Sequence, residues 1–226
     1  VVIPSQPGGA AHAFLVYKTV VVPPASAREE KRAGVALSEI VIAFRTEYLA
    51  SLAELSAEPL YAFLPVRSYG LPFLVQADFL VAADREDLKA GPWNEWLLRQ
   101  VPEAVLGALA HFRDAASGGS SEVTMQQAAL LLRMLPAPGR GAAATVEAEF
   151  AHLVPRVIDA LRSSACVLSE RGRWIKPKAA LLPSTDALAI APPALLASLC
   201  GLEYVDAELA AAAAQDPSFA DVLARL

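Results

Sequence analysis

The residues of this chain best suited to phosphate chemistry stand together in Asp84-Arg85-Glu86-Asp87, directly after an apolar, strand-like run. Arg85 offers a planar cation with several N–H donors, the side chain that best steadies charge on a transferring phosphate. Asp84 can cap a turn, and Asp87 follows three residues on, a carboxylate variant of the capping-box layout. Two roles are open for Arg85. One is a solvated residue at a helix start, the usual role of such a charge cluster. The other is contact with a phosphate.

Other chemistry-bearing residues do not assemble by spacing. Pro138-Gly139-Arg140-Gly141 lacks the Lys-Ser/Thr ending and the preceding strand of a phosphate loop, so it reads as a plain loop. His12, His111 and His152 fall at no metal-ligand spacing, and no zinc or other metal site is expected. Ser163 and Ser164 stand beside Cys166 with no histidine nearby in sequence. Glu29-Glu30 and Glu203…Asp206 fit a solvated surface. Trp93-Asn94-Glu95-Trp96 carries two large aromatics three residues apart, which fits core packing. Trp174 reads as the packing anchor of a hairpin.

Composition narrows the classes. The chain has 226 residues, 55% hydrophobic and 19% charged, enough for one large or two small domains with a real core. Net charge is −5, and the densest basic group, Arg28, Lys31 and Arg32, is interleaved with Glu29 and Glu30. That pattern reads as a solvated loop face and argues against nucleic acid as a partner. Two distant cysteines, Cys166 and Cys200, fit buried thiols in a reducing compartment. The first residues do not read as a signal peptide. The charge-free run Ala187 to Leu202 is broken by Pro192-Pro193 and is shorter than the roughly 20 residues of a membrane span. A soluble intracellular protein, cytoplasmic or nuclear and without a membrane partner, is expected. Starting at Val1 and stopping within the helical pattern ADVLARL, the chain reads as part of something longer.

The elements that must position Arg85 are strand-rich first and helical later. Strands are expected over His12–Val22, Leu37–Arg45, Leu60–Val66 and Leu71–Val81, the last two joined in a hairpin through Ser68-Tyr69-Gly70. Glu47–Ala57 fits either a helical turn or a loop insertion. Pro92 suits the first turn of a helix. Trp93, Leu97, Val101, Val105, Leu109 and Phe112 then recur at helical spacing. Pro102 lies inside that pattern and should kink or divide the helix. Further helices are expected over Glu122–Leu135, Thr145–Leu161, Leu195–Leu199 and Pro217–Leu226. A short hairpin turns at Gly172. The fold class is α+β: a mainly antiparallel sheet covered by helices in residues 1–117, a Gly/Ser linker at 118–122, and a mostly helical subdomain at 123–226 with a hairpin near 166–175.

YAFLPVRSYGLPFLVQADFLVAADREDL and PWNEWLL, with weaker support in CVLSERGRWIKP and LLASLCGLEYVDAEL, resemble the NO VEIN-like proteins. These are large chains with a GHKL-type, heat-shock-chaperone-like ATP-binding domain. Sacsin-like proteins have a similar strand layout. The resemblance implies that this region follows the ATP-binding domain and forms a middle or transducer domain. It implies a non-autonomous segment that couples the upstream domain to downstream regions. ATP and Mg²⁺ are implied for the upstream domain, and no cofactor for this segment. The implied partners are that domain and protein clients. In the related chaperone, an Arg-Glu pair after a strand sends its arginine to the ATP γ-phosphate. Arg85-Glu86 matches it, with Ala82, Ala83 and Asp84 where the chaperone pattern has Asn and Ser. A non-catalytic scaffold with a degenerate upstream ATPase fold is the alternative, and a self-contained enzyme ranks last.

Overall fold

The computed structural model describes residues 2–3, 12–50, 54–119, 123–136, 146–182, 192, 195 and 201–226. They form two compact units, each built from two stretches of chain: 1–108 with 134–157, and 109–133 with 158–226.

The first unit holds a six-stranded sheet. Its strands are β1 (Val2–Ile3), β2 (His12–Val21), β3 (Ser38–Arg45), β4 (Pro59–Ala62), β5 (Leu64–Ser68) and β6 (Leu74–Ala77), with a helical turn α1 (Glu47–Ala50) after β3. The spatial order is β1-β2-β3-β6-β4-β5, antiparallel at every neighbouring pair except β6 and β4. The expected α+β class with a mainly antiparallel sheet is therefore what the chain forms. β3 is central, and its run Ile40–Phe44 is buried throughout. That continuous apolar run fits a strand covered on both faces. Phe14, Ala43 and Leu74 on three adjacent strands form one core cluster, with Val16 and Tyr61 packed against it.

The expected hairpin through Ser68-Tyr69-Gly70 does not form. Phe63 takes φ 62°, a left-handed conformation, and reverses the chain there. β5 thus pairs antiparallel with β4, while β4 and β6 run parallel in register Leu60↔Val75. β5 occupies the outer side of β4, so the chain crosses back through Tyr69 and Gly70 to place β6 on the inner side.

Helix α2 (Pro92–Ser117) is a single uninterrupted helix. Pro102 does not divide it. Proline removes the helical donor to the carbonyl four residues back, here Leu98, and His152 Nε2–H donates to that oxygen at 3.1 Å. Trp93, Leu97, Val101 and Val105 are fully buried, the stripe expected from their spacing. Gly107 lets β2 come close: a Cβ there would lie 2.6 Å from the Tyr17 hydroxyl. The charged loop is only partly a solvated face. Arg32 pairs with Asp78 at 2.6 Å and lies over Trp93, and Glu29 accepts the Trp93 backbone N–H at 3.4 Å. A carboxylate at that end complements the helix dipole.

The second unit is mostly helical. It contains α3 (Met125–Leu130), most of α4 (Leu153–Ser163), α5 (Ala207–Gln215) and α6 (Pro217–Arg225). Thr124 and Gln127 form a reciprocal capping box at the start of α3. Asp206 and Asp216 cap α5 and α6, and Asp216 also pairs with buried Arg133 at 2.5 Å. The hairpin β7 (Val167–Leu168) and β8 (Trp174–Ile175) forms as expected, with Gly172 at φ 66° in its turn. Trp174 donates its indole N–H to Ser117 Oγ at 2.9 Å. A parallel pair, β9 (Ala180–Leu181) with β10 (Glu203–Tyr204), and helix α5 were not expected. The helix expected over Glu122–Leu135 is shorter and ends in a 3-10 turn, Leu131–Met134. The one expected over Thr145–Leu161 begins as a separate 3-10 turn, Ala148–Phe150. Residues 120–122 of the Gly/Ser linker, and most of Leu195–Leu199, lie outside the described residues.

Candidate functional site

Arg85 stands at the tip of a loop, not at a helix start. After β6 the chain makes an isolated antiparallel bridge, Val81↔Leu88, which closes the loop. Inside it, Ala82 N–H donates to the Asp87 carbonyl at 2.9 Å, and Arg85 N–H to the Ala82 carbonyl at 3.0 Å. Asp84 Oδ1 accepts Glu86 N–H at 3.0 Å, the turn-capping role expected of it. Two paired strand residues facing across a short turn exclude helical geometry, so α2 begins only at Pro92.

Arg85 takes φ 63°, and among the described residues only it and Phe63 are non-glycines with positive φ. Such a conformation costs of order 1–3 kcal/mol and persists where surrounding structure imposes it. The two meet in space: Arg85 Nη2 lies 3.4 Å from the Ala62 carbonyl, next to Phe63, which is 75% exposed. Arg85 is itself exposed. Among the described residues it forms no ion pair; the nearby carboxylate of Asp87 is paired with Arg67 instead.

Two anchors hold the loop. Asn94, 3% exposed in the first turns of α2, holds its neck. Its Oδ1 accepts Leu80 N–H at 2.9 Å, and its Nδ2 donates to the carbonyls of Leu80 at 2.6 Å and Lys89 at 2.7 Å. One buried amide thus ties both ends together, with its hydrogen bonds satisfied. Asp87 holds the shoulder. Tyr69, 1% exposed, donates its hydroxyl hydrogen to Asp87 Oδ1 at 2.5 Å and accepts Leu88 N–H at 3.1 Å. Arg67 lies 4.1 Å over the Tyr69 ring, donates to both Asp87 oxygens at 3.4 Å, and pairs with Glu147. The Tyr69 hydrogen bond leads in holding the Asp87 carboxyl below the usual range, with Leu88 N–H and Arg67 adding to it. Burial, then Asp87, pushes the Tyr69 hydroxyl well above its ordinary value. The Glu147 hydrogen bond leads in raising Arg67.

Asn94, Tyr69 and Arg67 were not singled out by sequence. Asn94 had one available signal, an amide between two tryptophans on a helix start, where an unpartnered polar group would be costly.

A second polar cluster closes the other end of the sheet and is structural. Arg45 donates to His12 Nε2 at 3.2 Å, so His12 carries its hydrogen on Nδ1 and donates it to Glu47 at 2.8 Å. Arg45 also pairs with buried Glu58 at 2.7 Å. Both ring nitrogens of His12 are engaged. Ser163 and Ser164 donate to helix carbonyls, and Cys166 Sγ lies 3.6 Å from the Leu161 carbonyl. Among the described residues no group of His, Cys, Asp and Glu is placed to hold a metal ion. No described helix is long and apolar enough to cross a membrane. The loop expected at Pro138–Gly141, and Cys200, lie outside the described residues.

Comparison with known proteins gives one firm point. The chain is similar to Protein NO VEIN of Arabidopsis thaliana, 32% identical over 152 residues, which make up 65% of this chain and 5% of that protein. The match spans a small fraction of that relative's length. No family model matches the chain, and no solved structure matches it.

Proposed function

We propose that this chain is the coupling segment of a NO VEIN-like, GHKL-type ATPase, presenting Arg85 to the γ-phosphate of a nucleotide held by an upstream ATP-binding domain. The observation that carries the proposal is the state of Arg85. It is exposed, engaged by no carboxylate among the described residues, and held in a strained conformation by a loop anchored at both ends. An arginine that serves another domain's ligand must be reachable and aimed before the partner arrives. The nucleotide domain would supply the bound ATP and Mg²⁺. This chain would supply one guanidinium, which stabilises charge developing on the transferred phosphoryl group. Protein clients would engage the downstream regions.

The test is turnover in the full-length protein. Arg85→Ala should lower kcat by about 10³-fold or more with KM for ATP little changed, the signature of a lost arginine finger. Arg85→Lys should recover little, since an ammonium lacks the bidentate fork. Equal kcat for wild type and Arg85→Ala would overturn the reading and favour a non-catalytic scaffold. That second reading draws on the exposed carboxylates of Asp84 and Glu86 beside Arg85, which oppose the approach of an anion. The 226-residue chain alone should bind no ATP by calorimetry.

A further inference from the structure

We infer that Asp87 is the positioning residue of this loop, through a clamp on Tyr69, and that it sets where Arg85 points. The inference rests on the reading of Arg85 given above for its consequence in turnover, but not for its consequence in the loop.

The neck of the loop is tied by Asn94, and among the described residues its tip reaches the Ala62 carbonyl, at 3.4 Å. Between them one carboxylate gathers several polar contacts, and Leu88 N–H also reaches the Tyr69 hydroxyl at 3.1 Å. Asp87 Oδ1 takes the Tyr69 hydroxyl at 2.5 Å and Leu88 N–H at 2.8 Å, and both oxygens face Arg67. Asp87 also accepts Ala82 N–H through its backbone carbonyl, so the clamp and the turn that carries Arg85 share a residue. The receiving side is held by several contacts of its own. Tyr69 packs edge-on against Phe150 at 5.6 Å between ring centres, beneath Arg67, which is fixed in turn by Glu147. Glu147 N–H donates to the Tyr69 carbonyl at 3.2 Å, which ties this side together again. A buried hydroxyl aimed at an exposed loop carboxylate is poorly explained by core stability alone. It is well explained as a fixed point for the loop.

Asp87→Asn keeps the shape but removes the charge and turns an acceptor into an amide donor facing Arg67. Tyr69→Phe keeps the ring and its packing and removes only the hydroxyl. Amide hydrogen exchange of residues 82–88 in the 226-residue chain is the first measurement. Both variants should speed exchange there by about tenfold or more, while exchange in β3 stays as in wild type. Unchanged exchange in both would overturn the clamp.

The second measurement is ATP turnover in the full-length protein. Asp87→Asn should lower kcat by about 10²-fold with KM unchanged, as a misplaced group does. It should add nothing in an Arg85→Ala background, because the two act through the same contact. Asp87→Glu, which retains the carboxylate, should recover part of the loss. Normal kcat in Asp87→Asn, with Arg85→Ala impaired, would overturn the positioning role. If Arg85→Ala turns over normally, the ATPase reading falls, and fast exchange in Asp87→Asn still supports the clamp.

Discussion

His152 donates its Nε2–H to the Leu98 carbonyl at 3.1 Å, serving the oxygen from which Pro102 withdraws the helical donor. An interior proline ordinarily costs a helix about 3 kcal/mol. Here the freed carbonyl regains a partner from outside the helix, and α2 stays in one piece. Pro102→Ala and His152→Ala should therefore be coupled. Alone, His152→Ala should cost about 1 kcal/mol or less, the net worth of an exposed hydrogen bond. In a Pro102→Ala background, where residue 102 again donates, it should cost nothing. Urea unfolding of the four proteins measures the coupling, and additive effects would refute the account.

Trp93 joins the helix stripe to the loop by more than packing. It is fully buried, and its indole N–H donates to the Asp78 carbonyl at 2.8 Å, just beyond β6. Trp93→Ala should cost roughly 3–5 kcal/mol through the cavity it leaves. Trp93→Phe should retain part of the packing but strand the Asp78 carbonyl, at an added cost of about 1–3 kcal/mol. Chemical denaturation separates the two terms. A Trp93→Phe variant as stable as wild type would remove the hydrogen-bond part.

The legible features are the local ones. The α2 stripe is read from side chains at helical spacing, because a helix buries one face of a repeating pattern. The hairpin at Gly172 is read from glycine, because its φ of 66° is easy for that residue alone. The break at Phe63 is not legible, since an aromatic side chain carries no signal for left-handed backbone, and so the order of β4, β5 and β6 is misread. For Arg85 the charge cluster is visible, but its surroundings are not. The Tyr69 hydroxyl that anchors the loop lies 18 residues from Asp87, and Arg67 lies 20 away, so the contact exists only after the chain has crossed the sheet. Asp84, Arg85, Glu86 and Asp87 look alike as charges in sequence. Folding separates them into a turn cap, an exposed cation, an exposed acid and an anchored carboxylate.

Cys166 should be inert in the folded protein. Burial pushes its thiol up to about 11, and its sulfur faces the Leu161 carbonyl. The thiolate is the reactive form, so near neutral pH almost none is present. A thiol reagent at pH 8 should label position 166 in native protein only at the rate of unfolding, and quickly in denaturant. Peptide mapping after labelling locates the site. Rapid native labelling at Cys166 would show that the structure around the thiol opens locally.

The Asp87 clamp should be sensitive to acid in a direction that can be worked out in advance. Its carboxyl is held below the ordinary range, first by the Tyr69 hydroxyl and then by Leu88 N–H and Arg67. A carboxyl with a lowered folded pKa stabilises the native loop above the unfolded pKa, and loses that contribution as pH falls through the folded one. The groups facing it are Tyr69, Arg67 and, across Arg67, Glu147. Glu147 is a second carboxylate on Arg67, so its effect must be separated from that of Asp87. The Leu88 amide accomplishes this, because its hydrogen bond goes directly to Asp87 Oδ1 at 2.8 Å. Its NMR shift should titrate with a midpoint below the value near 3.9 of a free aspartate. In Tyr69→Phe, where the leading cause is gone, the midpoint should rise toward that value. In Glu147→Gln it should move less, since Arg67 keeps its two contacts to Asp87. A wild-type midpoint at or above the free value, or one indifferent to Tyr69→Phe, would mean that the hydroxyl does not hold the carboxylate and that the loop is fixed from its neck at Asn94 instead.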